Sequence, residues 1–219
     1  MTNWASVVWR NACATSGLDL GFLIVRLGLN RLIAVLVAPL LALAVVAAVP
    51  AAPATADVED YASYEAPVRC HTKPKPGTVV LGRWVARQYG GGWLGFGRDC
   101  SKKNGPTSEH QTGQAFDWAL DATSRRDRRT ADRLMERHFA ADRRGNEDAL
   151  ARRMGVMYLI WDDQMFPAWN GFEPEPYLSS SCKTRRKCSP TLRHRDHVHV
   201  SLTRRGARGL TSWYDGRLD

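Results

Sequence analysis

The chain has 219 residues, of which 44% are hydrophobic and 24% charged, with 18 glycines and 11 prolines. That composition excludes a disordered or collagen-like chain, and the presence of one long apolar run excludes a multi-span membrane protein. The net charge of +9 favours anionic surroundings but chooses no particular partner.

Residues Leu32–Val49 are apolar and uncharged, with Arg26 and Arg31 before them and Ala54-Thr55-Ala56 after. A basic start, an apolar middle and a small-x-small site make a secretory signal, cut after Ala56. Pro39, Pro50 and Pro53 favour cleavage over retention as a membrane anchor, the alternative reading of residues 1–56. A true start near Val25 would explain the long stretch before the apolar run.

After the leader, Asp57–Pro76 has no clear period and reads as an extended segment. Thr78 can cap a helix over Val79–Tyr89 that ends at Gly90-Gly91-Gly92. Trp93–Thr107 reads as loop. Ala115–Leu120 alternates as a strand, with Phe116, Trp118 and Leu120 on one face and Ala115, Asp117 and Ala119 on the other. Arg125–Arg144 reads as a charged helix whose arginines form a solvated face. Asn146 caps a second short helix running to Gly155. Val156–Trp161 follows as a buried strand and Asp162–Pro190 as a long loop. His197–Leu202 alternates again, placing Val198, Val200 and Leu202 opposite His197, His199 and Ser201. Helices mixed with short strands indicate an α+β domain.

Cys13 leaves with the leader. Cys70, Cys100, Cys182 and Cys188 then form an even set in an exported chain, which reads as two disulfides. Three pairings are open, Cys70–Cys100 with Cys182–Cys188 among them, and a four-thiolate zinc site competes without any C-x-x-C spacing to support it.

Two segments concentrate groups that a core does not want: Ser108–Asp117 and Asp196–Ser201. A hydrolytic zinc ion takes three nitrogen or oxygen ligands and leaves a position open. The turn at Gly113 can bring His110 beside Asp117, and His199 on the polar face of the last strand can complete the set. Asp196 or His197 is close enough to act as base. Each feature alone has an ordinary explanation, since an H-x-H pair often decorates a surface and an Asp after a Gly often serves a turn. Both segments in one exported domain are harder to explain that way. His71 and His138 read as structural, and His194 as a neighbour of the site.

The segment SEHQTGQAFD, Ser108–Asp117, resembles the SxHxxGxAxD motif of zinc D-Ala-D-Ala carboxypeptidases of the VanY type at every fixed position. Asp196–His199 is similar to the (Glu/Asp)-x-x-His element of the same site, in a wider group that includes lysostaphin-like peptidases and the hedgehog domain. GVMYLIW and DHVHVSLTRRGARGLTSWY further resemble exported bacterial proteins with a D-alanyl-D-alanine carboxypeptidase-like core, so the likeness covers roughly Cys70–Tyr214. It implies Zn2+ held by His110, Asp117 and His199, with Asp196 as general base and Ser108 and Glu109 shaping the ligand loop. His197, in phase with His199, is the second candidate base. The family's upstream SGYRS-like segment is matched only poorly by Gly97–Ser101, leaving Arg98 as the candidate substrate cation. The expected architecture is a small antiparallel sheet carrying the zinc site and flanked by helices, over residues 77–219.

The function expected on this resemblance is an exported zinc peptidase cutting peptidoglycan stem peptides, as a carboxypeptidase or endopeptidase. The expected protein is a monomer that binds no nucleic acid and meets a membrane only through an uncleaved leader. The alternative is a cell-wall-binding module on the same fold, whose retention on sacculi survives His199→Ala and falls with salt. A two-histidine phosphoesterase, from His110-Gln111-Thr112 and His199-Val200-Ser201, leaves Ser108, Gly113 and Asp117 unexplained.

Overall fold

Strands β1 (Leu94–Phe96), β2 (Ala115–Trp118), β3 (Val156–Trp161), β4 (Gln164–Pro167), β5 (Glu175–Pro176) and β6 (Val198–Leu202) form one sheet. Its order is β1-β2-β6-β3-β4-β5, with every neighbouring pair antiparallel. The computed structural model describes residues 57–71, 73–100 and 107–218, so the leader expected over 1–56 lies outside the described residues. Four helices accompany the sheet: α1 (Pro76–Tyr89), α2 (Arg125–His138), α3 (Ala149–Arg153) and α4 (Arg204–Arg208). The fold is therefore α+β. Among the described residues no helix is long and apolar enough to cross a membrane.

Alternation along the strands divides the sheet into two faces. Phe116, Trp118, Leu159, Val198, Val200 and Leu202 point to the helical side and are buried there with Leu81 and Val85 of α1 and Leu134 of α2. Removing a large side chain like these from water contributes about 1.5–3 kcal/mol each. The opposite face carries Asp117, Tyr158, Ile160, His199 and Ser201, because these alternate with the core residues along β2, β3 and β6.

Several boundaries differ from the sequence reading for local reasons. Helix α1 begins at Pro76, whose missing N–H is not needed in a first turn. Thr78 is therefore inside the helix, where its hydroxyl donates to the Gly113 carbonyl at 2.9 Å. Asp148, at φ 52°, precedes α3 in place of Asn146, whose side-chain amide is held by the Asp142 carboxylate at 3.0 and 3.1 Å. The stretch 162–190 is not all loop. Asp162 and Asp163, at φ 44° and 66°, make a two-residue turn that folds β4 back on β3. Arg193 grips the Asp163 carboxylate at 2.6 and 2.8 Å, tying this turn to the segment before β6. Likewise β1 lies within the expected loop 93–107 and pairs with β2.

Cys70 pairs with Cys100 and Cys182 with Cys188, at Cα separations of 6.2 and 5.5 Å. This excludes the four-thiolate zinc site. The first bond tethers the segment before α1 to the loop leaving β1, and the second clips the loop that precedes β6. Two such bonds belong to an oxidising, extracellular or secreted setting.

Candidate metal centre

His110 sits on a single 3-10 turn, Glu109–Thr112, with Ser108 as its cap. The Ser108 hydroxyl accepts the His110 N–H at 3.4 Å. Gly113 ends the turn in the left-handed region, at φ 70°, and a Cβ there would run into the Lys73 carbonyl. Only glycine suits both constraints. The chain re-emerges as β2, which carries Asp117. Asp117 lies directly opposite His199 in the β2–β6 register, so the sheet sets these two side chains next to each other on one face.

The three groups converge on one point. His110 Nε2 lies 3.0 Å from Asp117 Oδ1 and 3.1 Å from His199 Nδ1, and the last two atoms are 3.0 Å apart. Three donors at ~2.0–2.1 Å from one tetrahedral ion stand about 3.3 Å apart. The triangle therefore fits a small divalent cation to within a few tenths of an ångström, and the group could hold one. Its chemistry fits as well. Burial pulls the pKa of His199 down, which keeps the ring neutral. Burial opposes ionisation of Asp117, but hydrogen bonds from His110 and His199 outweigh it and hold the carboxyl well below the usual range. Neutral imidazole and ionised carboxylate are the forms that ligate.

The group forms part of the lining of a cleft of about 300 Å³. His197 reaches it from beside β6. Its Nε2 is 3.5 Å from Asp117 Oδ1, while Nδ1 on the opposite side of the ring is 2.7 Å from Asp196 Oδ1. Asp196 thus stands behind His197, and its second oxygen accepts the Thr191 hydroxyl at 2.5 Å. Arg98 and Ser108 also line the cleft. Glu109 lines it too, with one oxygen bonded to Tyr158.

Sequence reasoning missed Tyr158, Tyr177, Ser179 and the full involvement of His194, which all line the cleft. The His194 ring packs 4.8 Å from His197 and 5.5 Å from His199, and burial pushes its pKa down to about 2. Its left-handed backbone, φ 52°, has no marker in the sequence beyond the chain's approach to the HVH segment. His138 is structural as expected, with Nδ1 bonded to the Leu134 carbonyl at 2.7 Å. His71 bonds the Lys73 carbonyl at the surface.

An antiparallel sheet with helices on one face and a buried two-histidine, one-aspartate group on the other defines the class: an α+β domain able to hold a metal ion. A sequence family described as "VldE, C-terminal domain" matches residues 70–185, just over half of the chain. The chain belongs to that family. The matched span includes His110 and Asp117 and ends before His199. No curated protein and no solved structure matches the chain significantly.

Proposed function

We propose that this domain is an exported zinc-dependent peptidase that hydrolyses a peptide bond in peptidoglycan stem peptides, as a D,D-carboxypeptidase or an endopeptidase. The observation carrying this reading is the triangle of His110 Nε2, Asp117 Oδ1 and His199 Nδ1 beside a cleft that also presents His197 Nε2. The likeness of SEHQTGQAFD to the VanY-type motif supplies the substrate class. Zinc, when bound, contributes Lewis acidity, which promotes ionisation of water and polarises a carbonyl.

The protein's own residues supply the proton path. His197 Nε2 takes the proton from the attacking water as the C–O bond forms, then delivers it to the departing amine as the C–N bond breaks. Asp196 accepts from Nδ1–H and so keeps Nε2 free to act as base. Burial opposes ionisation of Asp196, yet the bonds from Thr191 and His197 outweigh it and hold the carboxyl below its usual range. This geometry favours His197 over Asp196 as the base, with Asp196 positioning it.

The test is metal content by elemental analysis of purified oxidised protein never exposed to a nickel column, followed by a muropeptide digest read by mass spectrometry. Near one zinc per chain and shortened stem peptides are expected, with His197→Ala keeping the zinc and losing about 10²–10⁴-fold in kcat. Bound zinc with uncut muropeptides would sink the peptidase and leave the cell-wall-binding module.

A further inference from the structure

A buried side-chain amide has to find hydrogen-bond partners for both of its ends. Gln111, the residue after the ligand His110, is 6% exposed and finds them on the loop leaving β1. Its Nε2 donates to the Asp99 carbonyl at 2.8 Å, and its Oε1 accepts the Thr107 N–H at 2.8 Å. On the other side, the Gln111 backbone carbonyl accepts the His71 N–H at 2.7 Å. Asp99 and His71 are the immediate neighbours of Cys100 and Cys70, which are bonded to each other. Cys100 Sγ itself lies 3.5 Å from the Gln111 carbonyl oxygen.

The disulfide therefore closes a ring of chain around Gln111, with His71 on its backbone and Asp99 on its side chain. The segment beyond His71 holds the rest of the turn. Lys75 Nζ donates to the Thr112 carbonyl, and the Lys75 N–H donates to the Gly113 carbonyl at 3.0 Å. Those contacts belong to the start of α1 and stand without the disulfide. What the disulfide adds is the register of Asp99 against Gln111. A single 3-10 turn has weak hydrogen bonds of its own, so the direction in which His110 Nε2 points depends on such outside contacts.

We propose that the Cys70–Cys100 disulfide, acting through Gln111 as a positioning residue, holds the His110 turn in its metal-binding shape, so that metal affinity follows the oxidation state of this cysteine pair. Opening the bond takes two electrons and two protons from a dithiol, which is itself oxidised to a disulfide. Cys70 is exposed whereas Cys188 is buried, so a reductant reaches the first pair before the second. Groups that orient a ligand from behind change affinity 10–100-fold in metal sites generally. Tight metal binding is thereby tied to an oxidising compartment. The inference rests on the metal-ligating group alone and not on the peptidase reading.

The experiment compares full-length wild type with Gln111→Met, Cys70→Ser/Cys100→Ser and, as the control, Cys182→Ser/Cys188→Ser. Zinc affinity is read by chelator competition, and the order of the turn by amide hydrogen exchange of residues 111–113 in zinc-free protein. Wild type is also treated with a dithiol until only the first pair has opened. The dithiol is then removed and the thiols are capped before zinc is offered, so that neither binds it. Gln111→Met, Cys70→Ser/Cys100→Ser and the capped protein are each expected to bind zinc about 10-fold more weakly and to exchange faster, and the control to do neither. Reoxidation without capping is expected to restore the wild-type affinity. Adding Gln111→Met to the Cys70/Cys100 variant is expected to cost nothing further, because both break one link. Gln111→Met keeps both disulfides, so it decides the matter if the cysteine variant fails to fold. Unchanged affinity in Gln111→Met, an equal loss in the control, or wild type that takes up no zinc would overturn the proposal. Zinc binding with these sensitivities but no cut muropeptide would uphold it while removing the peptidase.

Discussion

Phe116 and Asp117 are consecutive residues on β2, and they serve opposite sides of the sheet under different rules. Phe116 is fully buried in the core beneath the helices, where contacts are many and direction matters little. Asp117 faces the other way, and its Oδ1 contact with each histidine depends on one position and one orientation. A four-residue strand can supply both because its side chains alternate. The core face should therefore respond to mutation mainly in stability, and the site face mainly in chemistry.

The largest expected effect tests the site face. Asp117→Asn should abolish zinc binding and, on the peptidase reading, reduce hydrolysis by at least about 10³-fold, the equivalent of about 4 kcal/mol. Phe116→Ala should cost about 3–5 kcal/mol of stability while its folded fraction still takes up zinc. Urea unfolding of metal-free protein and zinc stoichiometry together decide the matter. If Asp117→Asn destabilises as much as Phe116→Ala, or keeps its zinc, the division of labour between the faces is wrong.

That division was legible in the sequence as far as alternation reaches. The alternating patterns at 115–120 and 197–202 place Asp117 and His199 on polar faces, and the structure bears this out. Register was not legible, because nothing local in either strand states that residue 117 lies opposite residue 199. The β3–β4 hairpin escaped notice because its turn is Asp162-Asp163, without the glycine that usually marks a left-handed pair. Tyr158 read as one more apolar residue of VMYLIW. Only the bulge in the β3–β6 pairing, a tertiary feature, sets it opposite Ser201 on the site face, where its hydroxyl bonds Glu109.

The next effect sharpens the contrast between the buried histidines on the two sides of the sheet. His138, packed among Trp84 and Tyr89, has its pKa pushed down to about 4 by burial. The unfolded chain takes up that proton near pH 6.5, whereas the fold resists it. Stability from this group is therefore complete above about pH 6.5 and falls as the pH drops towards 4, by about 3 kcal/mol at most. His194 and His199, also lowered by burial, add slope of the same sign. Urea unfolding of chelator-treated wild type and His138→Asn at pH 7 and pH 4.5 isolates the His138 share. The variant should lose less stability on acidification. An equal loss would assign the whole slope to the site face.

The smallest effect separates the two candidate bases. The Asp196 side chain is 47% exposed, so solvent screens much of its charge. In Asp196→Asn the amide oxygen can still accept from His197 Nδ1–H while the amide nitrogen donates to the Thr191 hydroxyl, which preserves the tautomer that leaves Nε2 free. What disappears is the negative charge that steadies a protonated His197, and the expected cost is about 10-fold in kcat with zinc affinity unchanged. Were Asp196 itself the base, the asparagine could not take a proton, and the loss would equal that of His197→Ala, about 10²–10⁴-fold. A loss in Asp196→Asn far smaller than in His197→Ala assigns the proton to the imidazole. Equal losses assign it to the carboxylate and require that side chain to turn away from Thr191 during the reaction.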